Sequence, residues 1–522
     1  MIRSKMDERF PAAAHVSQTA PLTIWIRRIS GLALLSCGTL VLSQPTHFLF
    51  DDPYFYLEIA EHIVAGAGST FSGLDQTNGY HPLWMAACVA ATAASPDPLR
   101  GALLLCVVLA GALLWGLERL LSSAGIPQRA AGMGVALIPL LPGGLWGSEG
   151  LLNGALQVAA LLALLSAHAR PSPGRWARVG ALLGLAVLAR LDLVFLGAAG
   201  CLSALAQRAP WRERLLAALL VGGTLTAVLA PYLAANLAWT GHAMPISGAI
   251  KSTFPVPDGT DALAKLGSLG RNGVIAAVLA LALALLPTVS GPARRLLWVL
   301  SGATLAHAGY VVLFTAPLWS THYDYYWMTG LLTQACVGGL LMAQFVRLLP
   351  SFSEAARGRL GLGLMGLFAL LAVGLAADRA LDGGSWAPEN SSVRLGRTLG
   401  DALPADARVF VADAPGRLAW FSGLSVVPAD GLTHDRAYGP DLDALGLTAW
   451  MAGSGISHVV APLFAYRVPW LVVDTVPGGV TLQVIAPFSG RATEAIRLDE
   501  ADALQIVADD DGRRLGVWAI PR

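Results

Sequence analysis

"FDDPYFYLEIAEHIVAGAGSTFSGLDQTNGYHPLW" occupies residues 50–84. An apolar run, 29–49, precedes it, and another begins at residue 81. A polar stretch between two such runs reads as a loop at one face of a membrane. It opens on two adjacent acids, Asp51 and Asp52. Asp52 before Pro53 has the chemistry of an N-cap followed by proline at the first helical position. The helix would run through "YFYLEIAEHIVAG" and stop at Gly66. Asp51 is left without a structural task, and an acid beside hydrocarbon is a functional candidate by default. A partly buried acid near a second acid also tends to hold its proton more tightly, which suits a general base. These residues alone leave capping and catalysis both open for Asp51.

The rest of the chain is strongly apolar. Of its 522 residues, 55% are hydrophobic and 13% charged, and its mean hydropathy is +0.59. A soluble domain carries about 25% charged residues, so an integral membrane protein is expected. A net charge of +1 argues against a nucleic-acid partner. Cys37, Cys88, Cys106, Cys201 and Cys336 all fall in apolar segments and read as small packed hydrophobes.

Segments near the length of a span recur at 29–49, 81–96, 101–121, 131–147, 150–168, 179–206, 214–238, 273–288, 296–316, 327–347 and 360–378. Arg3, Lys5, Arg9, Arg27 and Arg28 make residues 1–28 a cytoplasmic tail. The apolar run after them lacks a clear cleavage site and reads as an uncleaved first span. Further basic clusters at 170–178, 208–214, 294–295 and 347–359 mark the cytoplasmic face. Loops 50–80, 239–272 and 317–326 then lie outside, on one common face. Segment 179–206 has basic markers at both ends and should fold back at Arg190 and Asp192. One short segment between 81 and 149 is also expected to be re-entrant.

From residue 384 to 522 the pattern changes. "ARVFVAD", "ISHVVAPL" and "VTLQVIAPF" read as strands, and "LQIVADDDGRRLGVWAI" as a closing hairpin turning at Asp511-Gly512. Helices are expected at 391–403 and 440–454. This is a soluble α/β domain following a membrane region that ends near residue 380.

The chemistry-bearing residues gather on the outer loops. Glu58 and His62 stand four apart on one helix face, as a solvated pair or as metal ligands. "DQTNGYHPLW" packs Asn78, Tyr80 and His81 beside the acids, as an ordered loop end or as a polar substrate site. Glu149 in "WGSEG" is an isolated acid, suited to a helix N-terminus. Lys251 in "PISGAIK" follows a turn that could hold a phosphate; taken alone it reads as an exposed loop lysine. "THYDYYWM" gathers His322, Asp324, Tyr325 and Tyr326, as an interfacial girdle or as site residues. On one face, an acid pair, a further acid, a cation and aromatics suit a phosphate-bearing lipid with a sugar head.

The first loop resembles the signature loop of the GT-C glycosyltransferases, especially their bacterial mannosyl- and arabinofuranosyltransferase branch. The matching residues are Asp51, Asp52 and Tyr54, then Gly79, Tyr80, Pro82, Leu83 and Trp84. Weaker matches are Gly147 to Glu149, Arg190 with Asp192, and the loop ending at Lys251. Pro53 and "TNGYH" depart from the pattern, which opens the sugar to identities other than mannose or arabinose. The resemblance implies a polytopic GT-C-like fold of about 11–12 membrane segments with a C-terminal extracytoplasmic α/β domain. It implies a bacterial cytoplasmic (inner) membrane enzyme with its site outside. The partners would be a polyprenyl-phosphate sugar donor, membrane lipids, and a glycan, lipid or protein acceptor. Asp51 would be the general base. Lys251 and Arg190 would neutralise the donor phosphate, with Asp52 and Glu149 also catalytic. Asn78, Tyr80, His81, His322 and Tyr325 would bind sugar or acceptor. The family has metal-dependent and metal-independent members. A divalent cation (magnesium or manganese) would draw on Asp51, Asp52 and His62. The competing readings are a transporter or a lipid- or glycan-binding membrane protein without catalysis, and a scaffold whose C-terminal domain binds a partner. The absence of an internal repeat weighs against transport.

Overall fold

The computed structural model describes every residue except 1–14, 261, 270–273, 290, 316–323, 350, 383–386, 509–513 and 521–522. The basic tail residues Arg3, Lys5 and Arg9, as well as His322 and the Asp511-Gly512 turn, lie outside the described residues.

Among the described residues, seven helices are long and apolar enough to cross a membrane: Pro21–Ser43, Pro98–Ser123, Gly150–Ala169, Trp211–Thr240, Gly291–Phe314, Met328–Arg347 and Glu354–Leu381. Four shorter apolar helices accompany them: Pro82–Ala94, Arg129–Leu140, Leu191–Leu205 and Ile275–Leu285. Proline opens Pro82–Ala94, Pro98–Ser123 and Pro173–Ala189, where its missing N–H costs nothing. Asp97 caps the second of these through the backbone N–H of Arg100 (2.9 Å). Only 11% of the apolar window of Trp211–Thr240 is buried, against 67% for Met328–Arg347. The first therefore stands at the periphery and the second in the centre. The segment 179–206 is broken at its polar pair: one helix ends at Ala189, a short turn covers Leu191–Leu193, and a new helix starts at Val194.

The C-terminal domain holds β1 (Arg408–Val411), β2 (Ser425–Pro428), β3 (His458–Pro462), β4 (Tyr466–Val468), β5 (Leu471–Val476), β6 (Gly479–Val484), β7 (Ile496–Asp499), β8 (Gln505–Ala508) and β9 (Arg514–Ala519). They form a five-stranded sheet, β2-β1-β3-β9-β8, and a four-stranded antiparallel sheet, β4-β5-β6-β7. β1 pairs in parallel with β2 and β3, so helices must cross between them. The expected single helix over 440–454 is two, Tyr438–Leu445 and Leu447–Gly453. Gly446 separates them at φ 78, a left-handed conformation that only glycine adopts freely.

Strand alternation ties the two regions together. Val409, Val411, Val426, Val460 and Val517 face the core that also contains the membrane helices. Their neighbours Phe410, Val427, Val459 and Trp518 face a second core within the domain. One side of the five-stranded sheet thus packs toward the membrane region and the other toward its own helices, as a period of two requires. The first loop lies at this junction.

Candidate active site

The helix Asp52–Val64 starts as the sequence suggests, with Pro53 in its first turn. The capping chemistry falls to Asp51 rather than Asp52, and on a different helix. Asp51 makes no side-chain cap to its own helix. Its carboxylate instead accepts from the backbone N–H of Arg417 (2.7 Å) and of Gly416 (3.1 Å). It thereby caps the helix Pro415–Ser422 of the C-terminal domain. That helix lacks a cap of its own, because Ala414 at the N-cap position sits at φ 50 and has no side-chain oxygen. Gly416 is needed there, since a Cβ would come within 2.6 Å of the Asp51 carbonyl. Arg417 is buried and donates to the carbonyl of Leu49. Burial pushes the Asp51 carboxyl up to about 7, against the pull of Arg417 and the two N–H groups. Asp51, expected as the general base, is held by two backbone donors and does not line the adjoining cavity.

Asp52 does line that cavity, which has a volume of about 80 Å³ and opens to the outside. The first loop contributes Asp52, Tyr56, Tyr80 and His81 to its wall. Lys251, Glu149 and Tyr326 come from three other parts of the chain, and Leu432 and Thr433 from the C-terminal domain. Lys251 ends the short helix Ile246–Lys251. Asn78 fixes that helix by accepting the N–H of Ile246 (3.0 Å), so it stands behind the wall. The Lys251 ammonium donates to the Tyr326 hydroxyl (3.3 Å). Burial opposes its charge, but Tyr326, Asp52 and Asp430 raise the ammonium above the usual lysine range. Tyr80 shares a hydrogen bond with Ser69 (2.8 Å), and the Tyr56 hydroxyl accepts the N–H of His81 (3.1 Å). The loop's polar residues thus hold its shape as well as facing the cavity.

Beneath the cavity lies a buried ionic cluster. The Arg190 guanidinium bonds Glu149 through Nη1 and Asp192 through Nε (2.9 Å). Its centre lies 3.7 Å from that of the Tyr326 ring. His307 Nε2 reaches Asp192 at 3.4 Å, and His81 Nε2 approaches Glu149 at 3.7 Å. Arg190, expected to help Lys251 neutralise the donor phosphate, is thus already paired twice. It is buried between two carboxylates, and breaking such a set is more costly than forming it is favourable. Glu149 is on the wall as its counter-ion.

His62 donates through Nδ1 to the Thr70 carbonyl (2.8 Å) and does not join the aspartates. Among the described residues, no three His, Cys, Asp or Glu side chains stand together to hold a metal. The expected metal set is thus not assembled. His322 lies outside the described residues, and of Tyr325 only the backbone is described. Sequence reasoning missed His307 and the contribution of residues 430–434. Asp430-Gly431 carries a turn signal, but nothing local marks it as reaching a loop some 350 positions earlier.

That contact is extensive. His434 is buried and bonds Asp75 through Nδ1 (2.9 Å) and the Pro428 carbonyl through Nε2 (3.0 Å). Ser425 donates to the Ser72 carbonyl (2.6 Å). A Cβ on Gly79 would run into the carbonyl of Leu432. With Asp51, four points along the first loop thus touch the C-terminal domain.

No family model matches the sequence, and no curated protein matches it. Solved structures do resemble the chain. ArnT from Cupriavidus metallidurans bound to undecaprenyl phosphate matches with a TM-score of 0.57 at 12% identity, over 95% of this chain and 98% of that one. The apo state of ArnT from the same organism gives 0.53 at 11% identity, over 85% and 93%. The Archaeoglobus fulgidus oligosaccharyltransferase tethered with an acceptor peptide gives 0.46 at 13% identity, over 84% and 69%. The chain has a GT-C-like fold, with polytopic helices followed by a sheet-containing domain.

Proposed function

We propose that this chain is an inverting glycosyltransferase of the bacterial cytoplasmic membrane. It moves a sugar from a polyprenyl phosphate to a hydroxyl of an extracytoplasmic glycan, lipid or protein. The observation that carries the reading is the shared cavity, in which Asp52 and the cationic Lys251 line one space at the junction with the C-terminal domain. The GT-C-like fold supports it, and so does the undecaprenyl phosphate bound to the similar ArnT.

The chemistry asks little of the protein. Asp52 takes the proton of the acceptor hydroxyl, and the freed oxygen attacks the anomeric carbon. The bond from that carbon to the phosphate oxygen breaks, and the polyprenyl phosphate leaves with the electron pair. Phosphate is a good leaving group, so one base and one stabilising charge suffice. Lys251 neutralises the charge that the departing phosphate gains. Tyr326 orients Lys251 on one side and covers Arg190 on the other. Tyr80 and His81 face the sugar or the acceptor.

The test is a transfer assay on the purified protein with a panel of undecaprenyl-phosphate hexoses and pentoses and extracted envelope acceptors. Sugar should move with inversion for at least one donor. Passage of intact donor across vesicles with no glycosylated product would refute the enzyme and favour transport.

A further inference from the structure

We propose that Thr433, in the C-terminal domain, is a specificity-determining residue whose hydroxyl reads one ring hydroxyl of the donor sugar. This rests on the glycosyltransferase reading above. Thr433 lines the same cavity as Asp52 and Lys251. It is 6% exposed, and its Oγ1 is buried with no hydrogen-bond partner among the described residues. A buried hydroxyl that lacks a partner is disfavoured, and a site that keeps one is poised for an incoming polar group.

The turn that carries Thr433 is fixed from both sides. Asp430 accepts the N–H of Leu432 (2.9 Å), and Gly431 supplies the left-handed bend at φ 74. On the other side, His434 is anchored to Asp75 and to the Pro428 carbonyl, and its ring stacks on Tyr438 at 4.1 Å. The backbone of Leu432 is wedged against Gly79. Such a frame holds a hydroxyl in a set direction, which is what discrimination between sugar epimers requires.

The donor sugar is the partner that fits. It is bonded directly to the phosphate that Lys251 would hold, and Thr433 borders the same cavity. Several polar groups on the remaining wall already have partners: Tyr80 with Ser69, Tyr56 with His81, and Lys251 with Tyr326. A site built to bond a hydroxyl rejects the analogue that lacks it far better than an apolar pocket rejects an extra one.

The experiment uses the full chain in detergent as wild type, Thr433→Val and Thr433→Ser. Each is titrated with undecaprenyl phosphate and with undecaprenyl-phosphate mannose, glucose and arabinose, and binding is followed by tryptophan fluorescence. All three proteins should bind the bare lipid phosphate equally, which also shows that the variants fold. For the sugar lipid that wild type prefers, Thr433→Val should bind roughly ten- to hundredfold more weakly, and Thr433→Ser should stay near wild type. Equal binding of that lipid by wild type and Thr433→Val overturns the inference and leaves the enzyme reading standing. Failure of the wild-type protein to bind any sugar lipid better than bare lipid phosphate overturns both.

Discussion

At the residue scale the two adjacent acids are separated by what their oxygens meet. Asp51 is held by the N–H groups of Gly416 and Arg417, and Asp52 faces the cavity. Asp52→Asn removes the base and should lower kcat by roughly 10²- to 10⁴-fold, with little change in melting temperature. Asp51→Asn still offers an oxygen to the helix end and should keep transfer within a few-fold of wild type. Asp51→Ala loses the cap and should cost about 1 kcal/mol of stability in a melting series. An inactive, well-folded Asp51→Asn beside an active Asp52→Asn would restore the base to Asp51. Lys251→Met removes the cation that meets the departing phosphate, and kcat should fall roughly 10²-fold or more, with a smaller rise in the KM for donor. The sequence exposed the pair and the capping chemistry of Asp-Pro, but not their assignment. The helix that needs Asp51 starts more than 360 positions later, and only packing brings it near. The full pairing of Arg190 was hidden for a related reason. Its sequence neighbours reveal Asp192 but not Glu149, the second carboxylate that closes around it.

At the scale of elements, the first loop is a joint as well as a site wall. It meets the C-terminal domain at Asp51, Ser72, Asp75 and Gly79. Gly79 is the tightest of these contacts, since the backbone of Leu432 occupies the place of a side chain. Gly79→Ala should push the 430–434 turn off the cavity. Transfer should fall at least tenfold while the membrane helices keep their far-UV dichroism, and hydrogen exchange at 430–434 should rise. Unchanged exchange in that turn would disprove the wedge. The seven long apolar helices, the strands β1, β3 and β6 and the break at Arg190 were all legible, because hydrophobic period and polar interruptions are local. The split at Gly446 was less so: a lone glycine in a helical pattern signals a weak point and does not say whether the chain turns there. The Gly79 wedge was legible only as a motif match, because its cause is a carbonyl from another domain.

For the whole molecule, the site exists only while the membrane region and the C-terminal domain stay docked, and titratable groups hold that docking. His434 donates through both ring nitrogens when charged, one toward Asp75 and one to the Pro428 carbonyl. Burial opposes that charge, yet Asp75 and the carbonyl raise the His434 pKa above its ordinary 6.5. Asp75 is lowered from 3.8 by the same partner, although burial works the other way. A raised histidine stabilises fully below about 6.5 and loses its contribution as pH climbs through the folded value. A lowered aspartate stabilises above its ordinary value and fails only in acid. Asp430, pushed up by burial to about 6, and Asp51, at about 7, act in the same direction as His434. Their neutral forms are favoured in the fold, and ionising them as pH rises works against it. Docking should therefore weaken between about pH 5 and pH 8, seen as a falling melting temperature and faster hydrogen exchange in the helix Pro415–Ser422. His434→Gln with Asp75→Asn keeps the shape but removes the charged pair, and should remove the part of that slope above about pH 6.5, leaving the part set by Asp51 and Asp430. A docking stability that instead rises over this range would contradict the charged His434–Asp75 pair as the clamp between the two regions.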